Sequence, residues 1–173
     1  MKKSVLGAAI AVTVSTMMLL ASCSPGEEVY YRFHLIDQHE WNRDSAVVFK
    51  VDSPAVNPST RYAVSLEITY TNSYPYQDLW VRIDPDFGLA ATKSDTVSIR
   101  LSDAHGKWLG SGVGGENQLS VPYLDNVRLD TAGRYALSVR HLMSDKYLTG
   151  IAKIGVRIVP EEAKANVSPW WPF

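Results

Sequence analysis

The residues Gly110-Ser111-Gly112-Val113-Gly114-Gly115 satisfy the spacing G-x-G-x-x-G, by which a dinucleotide-binding loop sets a pyrophosphate on a helix N-terminus. That chemistry needs a helix directly after the glycines. The residues that follow, Glu116 to Pro122, have no helical pattern, so the segment reads as a flexible loop without a cofactor. The histidines His34, His39, His105 and His141 are scattered, and none is paired at the i, i+4 spacing that seeds a zinc site. Asp103 and His105 lie two apart, but no G-x-S-x-G nucleophile elbow accompanies them. The aspartates Asp78, Asp84, Asp86, Asp95 and Asp103 fall near expected turns without the D-x-D-x-D-G order of a calcium loop. No catalytic set, metal site or cofactor is expected, and the chain reads as a non-enzyme.

One side chain does carry a definite reaction, the single cysteine Cys23. A lone thiol closes no intramolecular disulfide and supplies no cysteine pair to zinc. Its surroundings point elsewhere. Lys2 and Lys3 precede an apolar run from Val5 to Leu20, too short for a comfortable transmembrane span, and the run closes on Leu20-Ala21-Ser22-Cys23. A branched apolar residue, two small residues and a cysteine form a bacterial lipobox. The small side chains let the chain lie extended in a peptidase groove, and the thiol is nucleophilic enough to take a diacylglyceryl group as a thioether. The expected product lacks residues 1–22 and begins at a lipidated Cys23 bearing two or three acyl chains, palmitate among them. Two or more chains hold a protein on a bilayer lastingly, where one does so only reversibly. Residues 23–28, rich in Pro, Gly, Ser and Glu, read as a short lipidated linker. The protein is thus expected outside the cytoplasm, on a membrane of the cell envelope, with inner and outer membrane both open.

Behind these groups stands a scaffold of ordinary composition: 46% hydrophobic and 20% charged residues, with a formal net charge of -1. Such a balance fits one globular domain and lacks the basic field that a nucleic-acid binder needs. Period-two alternation recurs along the chain. Tyr62, Val64, Leu66, Ile68 and Tyr70 share one face of an extended segment, with Ala63, Ser65, Glu67 and Thr69 on the other. Leu79–Ile83, Val97–Leu101, Tyr135–Val139 and Ile154–Ile158 repeat the pattern, and Val29–Leu35, Ala46–Val51 and Gln118–Val121 are less regular candidates. Turn signals at Asn57-Pro58, Asp84-Pro85 and Ala132-Gly133 punctuate them. The fold class is therefore all-β, an antiparallel β-sandwich of about eight strands over residues 29–160. Leu66, Ile68, Val97, Ile99, Tyr135, Leu137, Val139, Ile154 and Val156 are expected among its buried residues. Only Pro160–Asn166 has a helical look, and it is short and charged.

Residues 161–173 form an aromatic tail that closes on Pro169-Trp170-Trp171-Pro172-Phe173. Its prolines exclude regular structure, and its indoles combine apolar area with a polar N–H. Trp170 and Trp171 are candidate contacts, either in a partner's groove or at a bilayer interface. The alternative is a tail packed back across the sandwich or frayed.

The mature chain as a whole resembles the gliding-motility lipoprotein H family (GldH) of Bacteroidetes. The resemblance rests on an ordered series: Cys23; Trp41, Asp44 and Phe49; Asn72-Ser73-Tyr74-Pro75-Tyr76 leading to Leu79; Asp95-Thr96; and Leu101 to Gly112, with Gly106-Lys107-Trp108-Leu109-Gly110 its most distinctive part. It continues through Gly133-Arg134-Tyr135, Gly150-Ile151 and Ile154-Gly155. The resemblance implies an exported lipoprotein of the gliding apparatus, parts of which are shared with a dedicated secretion system, and it implies no catalytic residue. Its partners would be the membrane, through Cys23, and other envelope proteins of that machinery. A general envelope lipoprotein with a binding role and an exported enzyme are the other readings. Lys107, Trp108 and Leu109 are candidate partner contacts, since loops held by a rigid sheet commonly carry binding. Equally open is a tight turn with Trp108 as a core plug.

Overall fold

The structure, a computed structural model, describes residues 28–52, 56–87 and 93–166. The signal segment 1–22, Cys23, most of the linker and the aromatic residues Trp170 and Trp171 lie outside the described residues. Among the described residues ten strands form: β1 (Tyr30–Leu35), β2 (Glu40–Asn42), β3 (Val47–Asp52), β4 (Tyr62–Thr71), β5 (Asp78–Asp86), β6 (Asp95–Arg100), β7 (Glu116–Val127), β8 (Arg134–His141), β9 (Tyr147–Thr149) and β10 (Ile151–Pro160). Sheet I has the order β1-β10-β4-β7 and sheet II the order β3-β8-β5-β6, with β2 and β9 as a separate pair. All strand pairs are antiparallel. The expected sandwich is the one observed, and no helix among the described residues is long and apolar enough to cross a membrane.

The alternating residues meet between the sheets. Val64, Leu66, Ile68 and Tyr70 of β4 and Ile154, Val156 and Ile158 of β10 join Leu79, Val81 and Ile83 of β5 and Tyr135, Leu137 and Val139 of β8 in one buried cluster. Each aliphatic side chain withdrawn from water there stabilises the fold by about 1.5–3 kcal/mol. Of the nine residues expected to be buried, only Val97 is half-buried instead, because β6 is an edge strand that pairs with β5 alone. The second face of β4 is covered too, where alternation implied an open face. β4 lies between β10 and β7, and its Glu67 carboxylate accepts hydrogen bonds from Ser65 Oγ, Ser120 Oγ and Gln118 Nε2 at 3.1, 2.7 and 3.1 Å. Those three donors make a buried carboxylate tolerable.

Asp84-Pro85, expected as a turn, lies inside β5. Pairing with β6 stops at Ile83, so beyond it β5 is hydrogen-bonded only to β8, and a proline without an N–H can sit on the free side. Pro160–Asn166 does become helical, as a 3₁₀ helix over Glu161–Asn166.

His141 continues the inward stripe of β8 and is fully buried. Its Nε2–H donates to the Trp41 carbonyl at 3.0 Å, and Nδ1 has no hydrogen-bond partner among the described residues. Burial pushes the imidazole pKa down, with the Arg43 charge adding to the effect; the Trp41 hydrogen bond and the charges of Asp145 and Asp44 oppose it. A histidine whose folded pKa lies below its unfolded value of about 6.5 takes up its proton first in the unfolded chain. Stability therefore falls as pH drops below about 6.5. Denaturant titrations at pH 7.5 and 5.5 are expected to show that loss in the natural chain and a smaller one in His141→Gln; equal losses in both would exclude His141 as the cause.

Candidate contact surface

The antiparallel order gives the sandwich two distinct ends. Where β1 begins, Tyr30 faces Ile158 near the close of β10, and Glu28 just before it pairs with Arg157 at 2.8 Å. Glu28 is five residues from Cys23 in sequence, so this is the end at which a lipid on Cys23 would tether the fold, hereafter the tether end. At the opposite end lie the close of β4, the start of β10, and the loop 101–115 that joins β6 to β7.

Asp103 shapes the first half of that loop. Its Oδ1 accepts the backbone N–H groups of His105 and Lys107 at 2.8 and 2.9 Å, while its own N–H donates to the Lys107 carbonyl at 2.9 Å. The Lys107 amide, with that of His105, holds the Asp103 carboxyl below the usual carboxylate range. This carboxylate is committed to a turn. Lys107 stands exposed on the turn, whereas Trp108 and Leu109 are half-buried. Trp108 sets its ring edge-on to Tyr70 with centroids 5.2 Å apart. Tyr70, fully buried, donates its hydroxyl to the Leu101 carbonyl at 2.9 Å and accepts the Gly110 N–H at 2.8 Å. Gly110 admits no side chain, since a Cβ there would lie 2.8 Å from the Gln118 carbonyl oxygen and from the Tyr70 hydroxyl. The loop is thus pinned to the core through Tyr70. After the glycines the chain enters β7, an extended strand with no helix N-terminus to receive a phosphate.

Three of the other four singled-out aspartates are engaged as well, and Asp86 stands exposed at the end of β5. Asp78 pairs with Arg100 at 3.5 Å, Asp84 with Arg82 at 3.0 Å and with Ser94, and Asp95 accepts the Tyr123 hydroxyl at 2.8 Å. Among the described residues no group of three or more His, Cys, Asp and Glu side chains is placed to hold a metal ion.

The structure adds a surface that alternation did not single out. On the outer face of sheet II, Trp80 is 47% exposed and Leu142 43%. They are cross-strand neighbours, with the Leu142 N–H donating to the Trp80 carbonyl at 2.8 Å. Ser98 flanks Trp80 on the other side, and the next row places Arg82 opposite Arg140. Arg82 pairs with Asp84, while Arg140 keeps its buried Nε without a hydrogen-bond partner among the described residues. The signal was present in the sequence: tryptophan occupies an outward position of β5, between Leu79 and Val81, where a polar residue belongs. Among the described residues, the exposed large hydrophobics Leu35, Trp80, Val113, Leu142 and Tyr147 all sit toward the end away from the tether. Phe33 and Val48 lie along the flanks.

Two known proteins are similar along most of their length. The gliding motility lipoprotein GldH homolog of Christiangramia forsetii is 29% identical over 154 residues, covering 85% of this chain and 92% of that protein. The gliding motility lipoprotein GldH of Flavobacterium johnsoniae is 23% identical over 148 residues, covering 82% and 89%. Among solved structures, the CBM35 from Cellvibrio japonicus Abf62 covers 77% of this chain and 87% of its own at 14% identity, with a TM-score of 0.33, a likeness too slight to argue from. The family model of the GldH lipoprotein matches residues 28–158, nearly the whole of the described fold, and on that match this chain belongs to the GldH lipoprotein family.

Proposed function

We propose that this chain is a lipid-anchored, non-enzymatic binding subunit of the gliding-motility machinery and of the secretion system that shares parts with it. The observation that carries the reading is the uneven distribution of exposed apolar side chains. Trp80, Leu142, Val113, Leu35 and Tyr147 gather toward the end away from the tether. Exposed apolar surface concentrated toward one end is a mark of protein contact, and tryptophan, tyrosine and arginine are enriched at binding hot spots. Lys107 and Arg140 border this end, while Arg100 and Arg82 are already paired with Asp78 and Asp84, so the fitting partner is an envelope protein that offers apolar side chains with a carboxylate beside them. In this reading Lys107 makes direct contact, Trp108 and Leu109 hold the loop in shape, and Cys23 carries the lipid.

The test is a quantitative pull-down from crosslinked envelopes, compared between the natural chain and a Trp80→Ser, Leu142→Ser double variant. Both positions are on the outer face, so the variant is expected to fold and reach the membrane, yet to lose more than tenfold of its specific partners and to impair surface spreading. An unchanged partner set with normal motility and secretion would overturn the proposed surface. Deletion of the whole chain with envelope defects but normal motility and secretion would instead mark a general envelope lipoprotein. A folded Asp103→Ala, His105→Ala variant that keeps its partners and is still inactive would favour an enzyme.

A further inference from the structure

The outer face of sheet II carries an arginine whose charge no carboxylate among the described residues pairs. Arg82 of β5 and Arg140 of β8 stand directly opposite each other, an arrangement in which like charges repel. The carboxylate beside them, Asp84, is already engaged. Its Oδ1 accepts Arg82 Nε–H at 3.0 Å and the Ser94 hydroxyl, and Ser94 Oγ in turn accepts from Arg82 Nη2 at 2.8 Å. The Ser94 hydroxyl, followed by the charges of Arg82 and Arg140, holds the Asp84 carboxyl below the usual carboxylate range. Arg140 is half-buried, its Nε is shut away from solvent without an acceptor, and it forms no ion pair among the described residues. Arg157 has an Nε sealed in the same way, but its Nη2 reaches the Glu28 carboxylate at 2.8 Å. Withdrawing a guanidinium from water without a carboxylate is costly, and a carboxylate supplied from outside offsets that cost through paired, charge-assisted hydrogen bonds.

We propose that Arg140 seats an acidic side chain of the partner protein, presented by an extended segment whose next side chain on the same face, two residues away, is apolar and rests on Trp80 and Leu142. The proposal rests on the reading of the Trp80 surface as the contact surface, and adds the sequence pattern of what it contacts. Charge sets the first half of that pattern. In the rows of this face from Asp78 to Asp84, Arg82, Arg100 and Arg140 stand against two aspartates, both of which are paired, so the excess charge is positive and falls on Arg140. The planar fork of an arginine takes both oxygens of a carboxylate at once. Spacing sets the second half. Val139 and His141 point into the core, so Arg140 and Leu142 point outward together, two residues apart along one chain. At the rise of an antiparallel strand that interval is about 7 Å, which is also the interval between alternate side chains of an extended peptide. Trp80, whose carbonyl accepts the Leu142 N–H, widens the apolar half of the seat across two strands. Thr96 and Ser98, both exposed on β6, border it with hydroxyls.

The experiment uses the full chain in phosphatidylcholine nanodiscs and a capped alanine pentapeptide with glutamate at its second position and leucine at its fourth. Binding is read from the shift of the Trp80 indole N–H resonance, assigned by its loss in Trp80→Phe. Saturable binding is expected for the natural chain. It is expected to weaken by roughly tenfold or more when the peptide's glutamate becomes glutamine, when its leucine moves to the third position, or when the protein carries Arg140→Gln. Equal binding of the glutamate and glutamine peptides, or no binding of either, overturns the seat, and that comparison uses the natural chain, so it does not depend on the folding of a variant. Arg140→Gln in the crosslinked-envelope pull-down separates this proposal from the surface beneath it. Loss of the same partners that Trp80→Ser, Leu142→Ser loses supports the seat. Partners kept by Arg140→Gln but lost by the apolar double variant overturn the seat and leave the contact surface standing. Partners kept by both overturn the surface and the seat with it.

Discussion

Cys23→Ala is expected to abolish palmitate labelling and to yield an unprocessed or soluble species in place of the membrane-bound mature chain. The size of the effect follows from the arithmetic of anchoring. Each buried CH₂ contributes about 0.8 kcal/mol, and two or three acyl chains together give attachment that outlasts washing, where one chain does not. Cys23 is the only thiol in the sequence, so no neighbour can take the diacylglyceryl group in its place. Nothing among the described residues supplies an alternative membrane-spanning helix. Envelope fractionation with radiolabelled palmitate reads the outcome, and a Cys23→Ala chain that partitions to the membrane at its mature mass would refute the lipoprotein assignment.

Gly150→Ala is expected to destabilise the sandwich by about 3 kcal/mol or more. Gly150 links β9 to β10 at φ +84°, a left-handed conformation that costs an L-residue roughly 1–2 kcal/mol. A Cβ there would also lie 2.6 Å from Tyr74 Cα and 2.7 Å from Tyr74 N, which are backbone atoms that cannot turn aside. The surrounding hydrogen bonds leave little room to relax: Gly150 N–H donates to the His39 carbonyl at 3.0 Å, and its carbonyl accepts the Thr71 N–H at 2.8 Å. Pushing the chain apart here disturbs three segments at once. Thermal melting is expected to drop by roughly 10 °C for a domain of this size, whereas an unchanged melting temperature would mean that the Tyr74 segment yields without cost.

The sequence made the regular strands plain and the irregular ones obscure, for a consistent reason. β4, β5, β8 and β10 lie inside their sheets and show clear alternation. β7 was legible only over Gln118–Val121, yet it runs from Glu116 to Val127. It is an edge strand with two register irregularities against β4 and a proline at position 122, so its side chains do not keep a two-residue period. β2 and β9 are three residues each, too short for any period to register. Trp41 stood out only through the family resemblance. The structure gives it a physical role, buried edge-on against His141 with Nε1–H donating to the Ser45 carbonyl at 3.1 Å. Loop 101–112 was legible as a distinctive segment, but its attachment to the core was not, because Tyr70, which holds it, is thirty-one residues from Leu101 in sequence.

By itself the sequence determined the lipobox, the all-β class and the family pattern, because each depends on residues close together in the chain or on their order. A lipobox is four consecutive residues, and a half-buried strand repeats every two. Only the tertiary structure decided where those pieces stand relative to one another. Pairing of β1 with β10 brings Glu28 to Arg157 and so places the chain's entry into β1 beside the exit of the last strand. Pairing of β5 with β8 brings Trp80 to Leu142 and makes two separate apolar side chains into one surface. Such contacts join residues that local periodicity treats as independent. They are selected by the burial of both sheet faces at once, which no single segment can report.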